Sequence, residues 1–285
     1  MKIKCEDFDL AATLESGQVF GFEKDGQGRF KGVLGGRSVR LWQSNGALSI
    51  ERTTSQGDTL DACHPSPNVS PGTWSGSVRD YFDLDRDLTS VFDVLRQETA
   101  LAPALAAFRG LRLIRQDPWE ALACFILSSN NNVKRIMGMR ANLVRHFGAF
   151  PLPAQVAGSH ERTLRQLGLG YRAPFLQRTA QFLSVNPAYL GTVRSAGYEE
   201  ARSRVTAFPG IGPKVADCVL LYGFNRLDAF PVDVWILRAM RTHYFRGRRV
   251  SEPRVHAFGR ERWGALAGYV QQYLFHGART GVIKS

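Results

Sequence analysis

The stretch FPGIGPKVADCVLLYGFNRLDAFPVDVWI, from Phe208 to Ile236, decides how the chain is read. It puts a Gly-x-Gly turn, a lysine and a carboxylate into one compact unit. Gly210, Ile211 and Gly212 predict a turn between two helices, and glycine lets backbone amides approach an anion closely. Pro213 suits the first position of the following helix, so Lys214 falls in its first turn. An apolar face continues through Val215, Val219, Leu220 and Tyr222. The positive end of a helix dipole disfavours an ammonium there, which predicts that Lys214 loses its proton more readily than a solvated lysine. Asp233, after Pro231, is a good N-cap for the run VWILRAMRTHYF. Lys214 and Asp233 are separated by one helix and a return, so both can sit at the same end of antiparallel helices. On these residues alone Lys214 is a reactive amine or a phosphate-binding lysine, and Asp233 is a cap, a catalytic carboxylate or both.

The rest of the chain supplies the setting. With 285 residues and 44% hydrophobic content it can bury a sizeable core, as one large domain or two to three small ones. The formal net charge of +12 points to a polyanionic partner, because cations that meet phosphates release counterions. Only seven of the 37 basic residues are lysines, and arginine suits bidentate contacts to phosphate and to guanine edges. The four cysteines, Cys5, Cys63, Cys124 and Cys218, are widely separated; no metal site is expected, and isolated thiols fit an intracellular setting. MKIKCEDFDL has no apolar core of a signal peptide, and no run is long enough to span a membrane.

The expected fold is α+β. Residues 1–86 form an N-terminal antiparallel β-rich domain: GRFKGVLGG, RSVRLWQ and ALSIERT are strand-like, and Asn45–Gly46 marks a two-residue hairpin. A loop rich in Ser, Thr, Pro and Gly covers 53–77, with a further strand expected in Ser77–Asp83. Residues 87–285 form a mainly helical body. Asp117 and Pro118 open one helix as N-cap and first residue. Ile136, Met139, Leu143, Val144 and Phe147 give the next a buried face. Further helices are expected near 160–168, 173–184, 198–208, 214–225, 234–245 and 263–276.

The turn PGIGPK between helices resembles a helix-hairpin-helix motif, placed near 199–225, and the segment KVADC followed by PVDV resembles the 8-oxoguanine DNA glycosylase/AP lyase branch of the helix-hairpin-helix (HhH-GPD) glycosylases. Other patterns occur in the family's order: SGQVF at 16–20, QDPWE and SSNNN within 116–132, LGLGYRA at 167–173, and VQQYLF near the end. The resemblance implies a β-rich domain beside two mainly helical domains, with the active site in the cleft between them. It also implies a monomer that needs no cofactor and acts on double-stranded DNA carrying 8-oxoguanine.

Residue by residue, the resemblance makes Lys214 the nucleophile and Schiff-base amine and Asp233 its catalytic carboxylate. Gly17 would accept a hydrogen bond from N7–H of the flipped base through its carbonyl. Gln271 would read the Watson–Crick edge, and Phe275 and Cys218 would pack on the base. Asn130, Arg135 and Arg172 match residues that hold the orphaned cytosine, and Tyr171 matches the wedge in the stack. Gly210 and Gly212 would meet a phosphate. Trp235, Tyr222 and Pro213 depart from the family's pattern. The alternatives are a helix-hairpin-helix glycosylase for other oxidised or alkylated bases, or a catalytically inactive DNA-binding scaffold.

Overall fold

The computed structural model describes residues 1–53 and 74–285, so most of the loop expected at 53–77 lies outside the described residues. The N-terminal region carries five strands, β1 (Lys2–Lys4), β2 (Phe22–Lys24), β3 (Phe30–Leu34), β4 (Arg37–Ser44) and β5 (Ala47–Arg52). They form one antiparallel sheet in the order β1-β5-β4-β3-β2, with Leu41 opposite Ile50 and Ser44 opposite Ala47. The β4–β5 hairpin turns at Asn45 and Gly46, both at positive φ (49° and 68°), as a turn matched to strand twist requires. Val39 and Leu41 alternate with more exposed neighbours, so one face of the sheet is apolar.

That face is covered by α1 (Leu10–Leu14) and α2 (Trp74–Tyr81). The strand expected in Ser77–Asp83 is therefore corrected to the end of a helix and a turn. Trp74, Val78 and Phe82 recur every fourth residue, and all three pack with the sheet's apolar face: the run has helical rather than alternating periodicity.

The remainder is helical: α3 (Thr89–Gln97), α4 (Ala102–Ala107), α5 (Pro118–Leu127), α6 (Val133–Phe147), α7 (Pro153–Ala157), α8 (Glu161–Leu164), α9 (Ala173–Val185), α10 (Tyr189–Ser195), α11 (Tyr198–Thr206), α12 (Pro213–Phe224), α13 (Val234–His243), α14 (Glu252–Trp263) and α15 (Ala267–Thr280). The α+β architecture expected from the sequence is present. Asp117 caps α5 by accepting from the Glu120 amide at 3.0 Å, with Pro118 at the first position. The helix expected at 263–276 is shifted, because Gly264, at φ 51°, breaks the chain between α14 and α15.

The helical core is continuous and takes in Ala12 and Phe20 from the N-terminal segment, which binds the sheet region to the helices. Within it α5 and α11 pack on α12, and α13 packs on α15. Residues 10–20 thus lie between the sheet and the helical body, where the site is built.

Candidate active site

The expected hairpin is formed by α11, the turn 207–212 and α12. Gly210 sits at φ 77°, and a Cβ there would lie 2.4 Å from Cδ2 of Phe175, so only glycine fits. Gly212 caps α12 in extended conformation and Pro213 takes its first position. Gly210, Gly212 and Pro213 are exposed, leaving the turn open to a partner.

Lys214 is half-buried on the second residue of α12. One helical turn on, the Cys218 sulfur shares a hydrogen bond with it, and its Nζ stands 6.0 Å from the centre of the Phe125 ring. Burial pushes the Cys218 thiol up to about 11, so it is neutral near pH 7. The Lys214 ammonium is held above its ordinary range, first by the Cys218 sulfur, whose full pull comes only as it becomes a thiolate at alkaline pH, and then by the Asp233 carboxylate, while burial opposes them. The expectation that the helix dipole would make this amine easier to deprotonate is corrected: the Cys218 sulfur and the Asp233 carboxylate raise its pKa above the ordinary value.

Asp233 is the N-cap of α13, its Oδ1 accepting from the Ile236 amide at 2.8 Å. Burial lifts its carboxyl above the ordinary value, opposed by the Ile236 amide and by Lys214. The ends of α12 and α13 therefore bring an amine and a carboxylate into electrostatic contact, as the spacing of the two residues suggested.

Three further expected residues converge beside them. Gly17 lies at φ 81°, and Cε1 of Phe275 is 3.2 Å from where its Cβ would be. Gln271 is buried on α15, one turn before Phe275, and donates through Nε2 to the Pro231 carbonyl at 3.2 Å. Its Oε1 is buried with no protein donor, an acceptor that costs free energy until it is paired.

The expected opposite-strand residues gather on another edge. Tyr171 is 45% exposed and its hydroxyl donates to the Ser129 carbonyl at 3.0 Å. Arg172 is buried, donating through Nε to Ser129 O at 2.9 Å and through Nη2 to Asn130 O at 3.1 Å, and its guanidinium lies 4.4 Å from the Tyr171 ring centre. Arg172 thus braces the loop that presents Asn130, which is exposed at φ 48°. Arg135 is exposed in the first turn of α6, apart from this brace. Ser129 also reaches the hairpin, its Oγ lying 3.5 Å from Gly210 O.

Sequence reasoning gave no role to four residues that hold the Gly17 loop. Gln18 is fully buried; its Nε2 donates to the carbonyls of Thr13 (3.0 Å) and Arg112 (2.8 Å), and its Oε1 accepts from the Ile114 amide at 2.8 Å. Gln116 donates to Gln18 O at 2.7 Å and Gln272 to Ser16 O at 3.1 Å. Arg279 bonds the Glu15 carbonyl and lies 5.5 Å from the Phe275 ring centre. The repeated glutamines of QQ at 271–272 were the only signal for one of them. Among the described residues no group of His, Cys, Asp and Glu is placed to hold a metal ion, and no helix is long and apolar enough to cross a membrane.

An exposed glycine hairpin, followed by a half-buried lysine in electrostatic reach of a carboxylate, is the arrangement of the helix-hairpin-helix class of base-excision DNA repair proteins. Residues 1–122 match the 8-oxoguanine DNA glycosylase N-terminal domain and residues 123–264 the HhH-GPD superfamily base excision DNA repair protein. The chain belongs to the 8-oxoguanine DNA glycosylase/AP lyase family and is an N-glycosylase with DNA lyase activity. It is 31% identical to a probable N-glycosylase/DNA lyase of Methanothermobacter thermautotrophicus, over 99% of this chain and 97% of the relative. It is 28% identical to N-glycosylase/DNA lyase OGG1 of Arabidopsis thaliana, over 96% and 78%. A crystal structure of Clostridium acetobutylicum 8-oxoguanine glycosylase/lyase, in complex with double-stranded DNA containing cytosine opposite 8-oxoG, superposes with a TM-score of 0.85 at 27% identity, covering 99% of this chain and 97% of that one.

Proposed function

We propose that this protein excises 8-oxoguanine, preferably opposite cytosine, from duplex DNA through a Lys214 Schiff base and cleaves the abasic site by β-elimination. The observation that carries it is Lys214 at the start of α12 in electrostatic contact with Asp233 at the start of α13. A neutral amine is the one side chain that both displaces a base and forms an iminium. Its attack on C1′ forms the N–C bond as the glycosidic bond breaks, the departing base taking the electron pair and then a proton. Opening of the sugar ring gives the protonated Schiff base. Loss of a C2′ proton then expels the 3′ phosphate. Asp233 stabilises positive charge on the sugar while the bond breaks, and its second role as cap fixes where that charge sits.

Base recognition falls to Gly17, Gln271, Phe275 and Cys218. The Gly17 carbonyl accepts N7–H, a proton guanine lacks, and the orphaned Gln271 Oε1 accepts from the Watson–Crick edge. Tyr171 is the wedge; Asn130 and Arg135, with Arg172 as brace, hold the orphaned cytosine. Gly210 and Gly212 present amides to a phosphate, and the excess positive charge draws in the duplex. All these groups come from one chain, so one copy suffices.

The test is incubation with duplexes carrying 8-oxoguanine opposite each of the four bases, with borohydride present. A trapped covalent complex, strongest opposite cytosine and lost in Lys214→Gln, is expected. No trapping by the wild type, or trapping that survives Lys214→Gln, overturns the Schiff-base assignment.

A further inference from the structure

Tyr222 stands two turns after Lys214 on α12, buried, its ring stacked on Phe125 at 5.5 Å with an interplanar angle of 14°. Its hydroxyl donates to Oε1 of Gln272, a fully buried side chain on α15. With Oε1 so engaged, the amide must turn Nε2 the other way, and Nε2 donates to the Ser16 carbonyl at 3.1 Å. The backbone of Tyr222 makes a second link: its carbonyl accepts from the Gln116 amide at 3.1 Å, and the Gln116 side chain donates to Gln18 O at 2.7 Å. The two links end on the carbonyls immediately before and immediately after Gly17. Gly17 has no side chain of its own to anchor it, and its backbone is the most permissive of any residue.

We propose that Tyr222 is a positioning residue for base selection, which clamps both flanks of Gly17 to the helix that carries Lys214. This rests on the reading of Gly17 as the acceptor for the lesion's N7–H. The clamp explains how an acceptor with no side chain is held steady, and it couples the recognising loop to the nucleophile through one buried tyrosine. Removing the hydroxyl alone leaves Gln272 Oε1 buried and unpaired, free to rotate the amide and release Ser16. The ring stack and the backbone link remain.

Tyr222→Phe is therefore the informative variant, read by two single-turnover rates and by thermal stability. One substrate is a duplex with 8-oxoguanine opposite cytosine; the other carries a preformed abasic site, which needs Lys214 but no base reading. Excision of 8-oxoguanine is expected to fall about tenfold, while strand cleavage at the abasic site stays within about twofold. Tyr222→Phe combined with Gln272→Met is expected to lose no more than the worse single variant, since both cut the same link. Equal loss on both substrates would mean that Tyr222 merely supports α12 and would overturn the proposal. So would no loss on either substrate, or strictly additive losses in the double variant. If the wild type cleaves the abasic site yet leaves 8-oxoguanine in place, the underlying reading of Gly17 fails, and this proposal falls with it.

Discussion

Asp233 carries two tasks that a single substitution separates. Its Oδ1 accepts from the Ile236 amide at 2.8 Å, and its charge acts on Lys214. Asparagine keeps an acceptor at the cap position and removes the charge; alanine removes both. Loss of the cap costs about 1 kcal/mol, which is about 2–4 °C in melting temperature for a chain of this order of size. Loss of the charge is larger where it matters: opposite charges ~4 Å apart at an effective dielectric of ~20 attract by about 4 kcal/mol. If that stabilisation exists only as the sugar becomes cationic, Asp233→Asn slows base release by about three powers of ten. The assay is single-turnover excision beside a thermal melt for wild type, Asp233→Asn and Asp233→Ala. The expected pattern is an Asn variant that is slow yet melts no lower than wild type, and an Ala variant equally slow and less stable than the Asn variant. An Asn variant that excises within about threefold of wild type, beside an Ala variant that fails, would reduce Asp233 to a cap and refute the charge argument. The pH dependence gives a second check. Burial raises the folded-state pKa of Asp233 above its ordinary 3.8, so the associated stability is full below that value and lost as pH rises through the folded pKa. Asparagine loses nothing over that range, so the melting temperature of the Asn variant should gain on wild type as pH rises above about 4.

Other outcomes follow from the same geometry. Gly17→Ala places a methyl 3.2 Å from Cε1 of Phe275 at a positive φ, so excision of 8-oxoguanine should drop at least tenfold on the order of strain involved, with cleavage of preformed abasic sites retained; parallel rate measurements check it. Gly210→Ala drives a Cβ to 2.4 Å from Phe175 and should weaken binding to damaged and undamaged duplex alike, by roughly tenfold, as read in a fluorescence titration. Glu120→Ala leaves the buried Arg140, now paired with it at 2.6 Å, without its carboxylate; a loss of about 3 kcal/mol in a denaturant melt is expected.

What the sequence revealed and what it hid divide along a physical line. The hairpin, Lys214 and Asp233 lie within one short segment, and local rules for turns, caps and helix starts suffice to place them. The β4–β5 hairpin was equally legible, because Asn45–Gly46 has one favoured conformation. Ser77–Asp83 reads as a strand because Trp74, the residue that completes its helical period, lies in a stretch whose Ser, Thr, Pro and Gly content signals a loop. The support of Gly17 was hidden for another reason. Gln18, Gln116 and Gln272 are residue types expected in solvent, yet all three are buried, and each is satisfied by a carbonyl or amide that only the fold brings near. A buried amide is recognised by its partners, and partners as far as 256 residues away leave no local pattern.

The protonation of Lys214 shows magnitude overruling a correct rule. A helix N-terminus does disfavour an ammonium, by about 0.3–1 kcal/mol at an exposed site. Here the same ammonium meets the Cys218 sulfur and the Asp233 carboxylate, which raise its pKa although burial opposes them. The resting amine is thus charged, and as the proposed nucleophile it would react only in the fraction of molecules that have lost the proton. For abasic-site cleavage this predicts a rate that climbs by about tenfold per pH unit through the neutral and mildly alkaline range. Asp233→Asn then acts in opposite directions at once. Without the carboxylate the amine's pKa falls, so the rise should level off at lower pH, while the lost stabilisation of the cationic sugar lowers the whole curve. A profile that is lower and displaced to acid fits both effects. A flat profile for the wild type between about pH 6 and 9 would show that the amine is already neutral at rest, and an undisplaced one for the Asn variant that Asp233 does not act on Lys214 at all.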